Sequence, residues 1–189
     1  MNRKLARVIY SLSFALILVK GADAYTPLLQ AQSTSEHFIL ATLSMPPDPG
    51  EAGKLTKLGI DSDGNGVRDD VQRYIIEKYD ESEYKQLALF QYAVALQLML
   101  SDAENKEKTF DNSDQLAVAL RCVEYVWGSD DFYMVYKKDI HKLNAKMFNT
   151  KERVVAWFKA NGKLSGKVTT VTDPTREELK KSCEFLPDE

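Results

Sequence analysis

The run Leu87-Ala88-Leu89-Phe90-Gln91-Tyr92-Ala93-Val94-Ala95-Leu96-Gln97-Leu98-Met99-Leu100 is apolar around nearly the whole circumference of a helix. Such a helix cannot rest on one neighbour and has to be surrounded. The segment from Glu81 to Ser101 is therefore read as the central member of a bundle. Gln91 and Gln97 interrupt it, and its apolar stretch falls short of the roughly 20 residues that a membrane span needs.

Partners for that helix can be picked out by period. Val71, Tyr74, Ile75 and Tyr79 step at helical spacing just ahead of it. After it, the charged stretch Asp102–Asn112 lacks apolar period and is expected to be an exposed linker. Ser113 is the expected N-cap of a third helix, with Leu116, Ala117, Leu120, Val123, Val126 and Trp127 on one face and Gly128 at its end. A fourth helix from about Asp130 carries Phe132, Tyr136, Ile140, Leu143 and Met147, leaving Lys137, Lys138, Lys142 and Lys146 as a solvated face. Asn149 and Glu152 have capping-box spacing before a fifth helix with Val154, Val155, Trp157 and Phe158, which Gly162 ends. Gly166–Val171 alternates weakly and reads as a short strand or extended stretch. Asp173-Pro174 then opens a last helix bearing Leu179 and Cys183. The expected fold is all-α: a bundle of five or six helices.

The chain begins with Arg3, Lys4 and Arg7, an apolar run from Val8 to Val19, and Ala22-Asp23-Ala24, the layout of a signal peptide cut after Ala24. The expected mature protein lies outside the cytoplasm, periplasmic or secreted, with no stable membrane anchor. Cleavage takes four basic residues and one acidic residue with it and leaves 21 basic against 27 acidic, a formal charge of −6. That balance argues against nucleic acid and anionic membrane as partners. Residues 25–53, with Pro27, Pro46, Pro47 and Pro49, read as an extended lead-in to a helical domain at 54–189. The two cysteines, Cys122 and Cys183, are expected to pair, since an exported protein meets an oxidising medium.

Between the lead-in and the first helix stands Asp61-Ser62-Asp63-Gly64-Asn65-Gly66-Val67-Arg68-Asp69-Asp70-Val71-Gln72. Side chains bearing oxygen fall at loop positions one, three, five and nine, with glycine at six. That alternation lets a short loop curl around a hard cation such as Ca²⁺, which takes six to eight oxygens. An Asp/Asn/Gly-rich turn leading into a helix needs no metal, but oxygen at every alternate position is more than a cap requires. Asp69 and Asp70 would also cap the amides of the helix that follows.

Over this dozen residues the chain resembles the EF-hand-like calcium loop of dockerin modules and thrombospondin type 3 repeats. The resemblance implies side-chain ligands from Asp61, Asp63 and Asn65, a backbone carbonyl from Val67, and a direct or water-bridged contact from Asp69. Gln72 stands where that pattern has an acidic, usually bidentate ligand, so a lowered affinity is expected. The loop also has no second copy, which argues against a cooperative sensor.

Catalytic motifs are missing: there is no GxSxG, HExxH or glycine-rich phosphate loop, and the two histidines, His37 and His141, have no nucleophile setting. Tyr125, Trp127, Phe132, Tyr133 and Tyr136 straddle Gly128, and read as core at a bundle end or as a binding surface. The expected role is that of an exported, calcium-binding, non-catalytic protein that binds another protein or belongs to the envelope. The alternative is a small extracytoplasmic hydrolase with an unrecognised carboxylate site.

Overall fold

The computed structural model describes residues 44–128, 132–169 and 173–186. The expected signal peptide and the expected lead-in up to residue 43 lie outside them. The described chain is all-α. A 3₁₀ turn, Gly50–Lys54, is followed by α1 (Asp69–Lys78), α2 (Glu83–Ser101) and α3 (Lys106–Trp127). Next, α4 consists of Phe132–Val135, a π-helical turn Tyr136–Ile140, and His141–Met147. The last two are α5 (Lys151–Lys163) and α6 (Arg176–Lys180).

Central placement of α2 follows from its all-round apolarity. It packs against α1, α3, the second half of α4, and α5. Leu87, Leu89, Phe90, Leu96, Met99 and Leu100 are fully buried, each stabilising the fold by about 1.5–3 kcal/mol in transfer terms. Two of its three glutamines face segments that are not helical, while Gln86 Nε2 donates to Ile76 O on α1 at 3.3 Å. Gln91 Nε2 donates to Ser182 O at 2.8 Å, and Gln91 Oε1 accepts from Glu184 N. Gln97 Nε2 donates to Leu58 O at 2.9 Å. The polar interruptions are thus clamps for irregular chain, which needs side-chain partners because it has no helical ones.

The charged stretch 102–112 is not a linker. Asn105 caps α3 by accepting from Lys108 N at 3.0 Å, so the helix starts well before Ser113. Ser113 sits mid-helix and bonds back to Phe110 O. Asn112 is buried and donates to Leu98 O, which also accepts from Asp102 N, and to Asp102 Oδ2, so it ties α3 to the end of α2. Ala119 and Cys122, rather than Ala117, face inward beside Val123. Gly128 ends α3 at φ +85°, as its sequence position indicated.

Other ends shift for similar reasons. Thr150, not Asn149, caps α5 by accepting from Arg153 N, and Gly162 lies inside that helix. Thr175 caps α6 and forms a capping box with Glu178, so Asp173 and Pro174 precede the helix. No strand forms among the described residues, and Lys167–Thr169 have no regular structure. Cys122 and Cys183 form the expected disulfide, which ties α3 to the segment just beyond α6.

The inward face of α5 departs furthest from expectation. Arg153, Ala156 and Ala160 point into the protein, whereas Val154 and Val155 are exposed and Phe158 is 70% exposed. At the Gly128 turn, Trp127 is half-buried and meets Tyr79 edge-on at 6.0 Å, while Tyr133 is exposed beneath the Lys137 ammonium. The Phe132 and Tyr136 side chains lie outside the description.

Candidate metal loop and its anchors

The loop hangs between two buried anchors, Arg68 and Arg153, both wholly excluded from solvent. Arg68 Nη1 donates to Met147 O at 3.1 Å and Nη2 to Lys146 O at 2.9 Å, taking up carbonyls at the end of α4. Its Nε and Nη2 also hold the Asp70 carboxylate, at 2.9 and 3.3 Å. Arg153 reaches from α5 to the carbonyls of Gly53, Thr56 and Lys57, and its Nη1 donates to Asn149 Oδ1. Arg68 beside it and, above all, burial hold its guanidinium below the usual arginine range. A planar fork with five donors can serve several carbonyls at once, which a lysine cannot.

Gly59 lies between the two anchors at φ +71°, and a β-carbon there would overlap the Arg68 Cδ and sit 2.9 Å from the Arg153 Nη2. Both the left-handed backbone and the lack of space demand glycine. Gly59→Ala is expected to cost about 2–4 kcal/mol, read as a fall in the urea midpoint at unchanged slope. A loss below about 0.5 kcal/mol would mean that the arginines are not held as described.

Within the loop, Asp61 organises the backbone. Its Oδ1 accepts from Gly64 N at 2.9 Å and Asn65 N at 3.1 Å, and its Oδ2 accepts from Gly66 N at 2.9 Å. Gly64 and Gly66 take φ of +71° and +91°, turning the chain around that carboxylate. Burial, together with Asp63 alongside, raises the Asp61 carboxyl above its ordinary value against the pull of the Gly66 and Asn65 amides.

The remaining oxygens gather on a single donor. Asn65 Nδ2 lies 2.8 Å from Asp63 Oδ2 and 2.8 Å from Gln72 Oε1. Gln72, buried on α1, turns its Nε2 to Ser44 O at 2.8 Å and to Asp63 Oδ2 at 3.3 Å. Loop, helix and lead-in therefore meet at one point. Asn65 Oδ1 accepts from Val67 N at 3.0 Å, and the Val67 side chain is fully buried in the core.

Two expected roles move. Asp69 does not cap the amides of α1: it is buried, and its Oδ1 accepts from Ser62 N at 2.9 Å, closing the loop on itself. Asp70 is occupied by Arg68, and the N-cap residue of α1, Arg68, makes no side-chain cap. The structure brings Asp61, Asp63, Asn65 and Gln72 together, with Asp69 at the neck. Sequence reading missed both arginines, because a charged residue in a loop and another on a helix carry no periodic sign of burial.

Among the described residues, no group of three or more His, Cys, Asp or Glu is arranged to hold a metal ion. The carboxylates of the loop that meet its amides are Asp61, Asp63 and, at the neck, Asp69, and the rest of the donor set would be amide and backbone oxygens. No helix among the described residues is long and apolar enough to cross a membrane. A cleft of about 250 Å³ on α2 and α3 is lined by Gln91, Asp114 and Glu184 among others. Desolvation raises the Glu184 carboxyl, while Asp114 is paired with Lys167 at 2.7 Å. Scans against protein-family models, curated proteins and solved structures found no match to this chain.

Proposed function

We propose that this is an exported, non-catalytic protein whose loop Asp61–Gln72 takes up one Ca²⁺ and is stiffened by it. The observation that carries the reading is the gathering of Asp63 Oδ2 and Gln72 Oε1 on one Asn65 amide. A donor shared by two oxygens of different segments occupies the place that suits a cation. The ion would add two positive charges beside Asp61 and Asp63, offsetting their mutual repulsion, with Asn65, Gln72, the Val67 carbonyl and Asp69 completing an oxygen set. With few carboxylates, the affinity belongs in the 10⁻⁴ to 10⁻³ M range of extracellular modules.

The disulfide supports an oxidising compartment, the outward apolar face of α5 supports a protein partner, and the acidic balance speaks against nucleic acid. The hydrolase alternative rests on the Asp114 and Glu184 cleft. Lys167 holds one of its two carboxylates, and acid-base work needs both free to face the reactant.

At 10 mM calcium, binding of that strength stabilises the fold by about 1.4–2.7 kcal/mol, a rise in Tm of several degrees. Asp61→Ala should abolish the increment. Identical melting curves in calcium and in chelator, with no heat on titration, would sink the proposal.

A further inference from the structure

Helix α5 turns an apolar stripe outward. At about 100° per residue, Val154, Phe158, Gly162 and Val155 fall within an arc of about 100° that has Lys151 in its middle, opposite the buried Arg153, Ala156 and Ala160. Val154, Val155 and Phe158 are all exposed, and a β-carbon on Gly162 would meet nothing within 4 Å, so the stripe is open to its end. Three large apolar side chains gathered on one helix face are more than the single, scattered ones that any surface carries. The two flanks of the stripe differ. On one side lie Asn161 and Trp157, the latter half-buried and stacked on Phe148 at 4.9 Å, and neither is charged. On the other side Glu152, Lys159 and Lys163 follow at i, i+7 and i+11. Lys159 is tied to Glu104 at 2.5 Å, whereas Glu152 and Lys163 have no ion pair among the described residues. That flank therefore begins with a free carboxylate and ends with a free ammonium.

This order of charges is complementary to itself. A two-fold axis that sets two such helices antiparallel brings each flank against its own copy running the other way. With Val155 opposite Phe158 of the partner subunit, Glu152 comes level with Asn161 of the partner subunit and within about 3 Å, along the axis, of the partner's Lys163. Lys151 then meets the last turn of the partner's helix, the negative end of its dipole. A parallel pair lacks this match, because it lays the charged flank on Trp157 and Asn161.

We propose that α5 is the contact of a two-fold symmetric, antiparallel homodimer, in which Phe158 packs on Val154 and Val155 of the partner subunit and Glu152 pairs with the partner's Lys163. The protein partner proposed above for this face is thus a second copy of the chain; the assignment rests on that reading, and calcium uptake by the loop is independent of it. Helix α5 has 13 residues, a length of roughly 20 Å. A single helix pair of that length sits at the small end of specific interfaces, so the dimer is a weak one that forms and parts readily.

The test is sedimentation equilibrium of the full chain from about 10 μM to about 1 mM, in chelator and in calcium. Reversible dimerisation is expected in both. Phe158→Glu should weaken it at least about tenfold. Glu152→Lys should weaken it about tenfold at low salt, and Glu152→Lys/Lys163→Glu should restore it to within about threefold of the parent, since the swap rebuilds the pair only in the antiparallel register. Phe158 and Glu152 are exposed in the single chain, so their variants should melt as the dilute parent does. A monomer at every concentration, a dimer indifferent to Phe158→Glu, or a charge swap that restores nothing would overturn the assignment. So would a monomer whose Tm falls with Phe158→Glu, because the chain's own residues would then cover the stripe. None of these results touches the calcium-dependent rise in Tm, by which the loop is judged separately.

Discussion

Replacing Arg153 with alanine is expected to lower the folding free energy by about 3–5 kcal/mol, the largest loss of any single substitution considered. The side chain is wholly buried and joins α5 to three carbonyl acceptors, Gly53, Thr56 and Lys57, and to Asn149. Removing it strands those oxygens without water to replace it, and each buried orphan costs about 1–3 kcal/mol. Part of that loss is recovered as the 3₁₀ turn relaxes outward, which is why the sum is not additive. The readout is the urea midpoint, with Arg153→Lys as the companion. Lysine keeps the charge but brings a compact head in place of a planar fork, so it should rescue less than half the loss. A lysine variant as stable as the parent would show that charge alone, not the fork, holds residues 53–57 in place.

Opening the disulfide ranks second. Cys122 and Cys183 are 61 residues apart, and in the chain-entropy account a closed loop of that length stabilises by about 4 kcal/mol. The bond also secures a short end. Helix α6 spans only five residues and depends on its Thr175–Glu178 capping box, Leu179 and the packing of Phe185 near the disulfide. A helix of that length is marginal by itself. Cys122→Ala/Cys183→Ala is therefore expected to lower the Tm by more than 10 °C and to expose residues 176–186 to protease before the rest unfolds. Uniform protease resistance at native temperature would show that α6 is held by its packing and by Gln91 without the covalent link.

The two expectations differ in how visible they were. The cysteine pair was legible because an oxidising compartment leaves two cysteines little else to do. The buried arginines were not, since guanidinium burial depends on carbonyls collected from residues about a hundred positions away. The same blindness explains α5. Val154, Val155 and Phe158 look like an inward face by composition, yet the helix turns Arg153, Ala156 and Ala160 inward, because small side chains let it approach α2 and α3 while the arginine reaches past to the 3₁₀ turn. Helix starts slipped for a related reason. Asn105 and Thr150 cap in place of Ser113 and Asn149: Ser113 bonds back to Phe110 O within α3, and Asn149 is taken up by the Arg153 guanidinium and by Asp70.

By itself, the sequence determined that the chain is helical, that α2 lies at its centre, that Gly128 stops α3, and that the sharp turn of the loop falls on Gly66. All of these follow from period, propensity or backbone sterics, which act between residues a few positions apart. Only the tertiary structure decided which polar groups go inside. It put Arg68 and Arg153 in the interior, joined Gln72 to Ser44 at the loop, and drew three lysines around Tyr74. A buried polar group is tolerated only where distant acceptors meet it, and that meeting is a property of the folded chain alone.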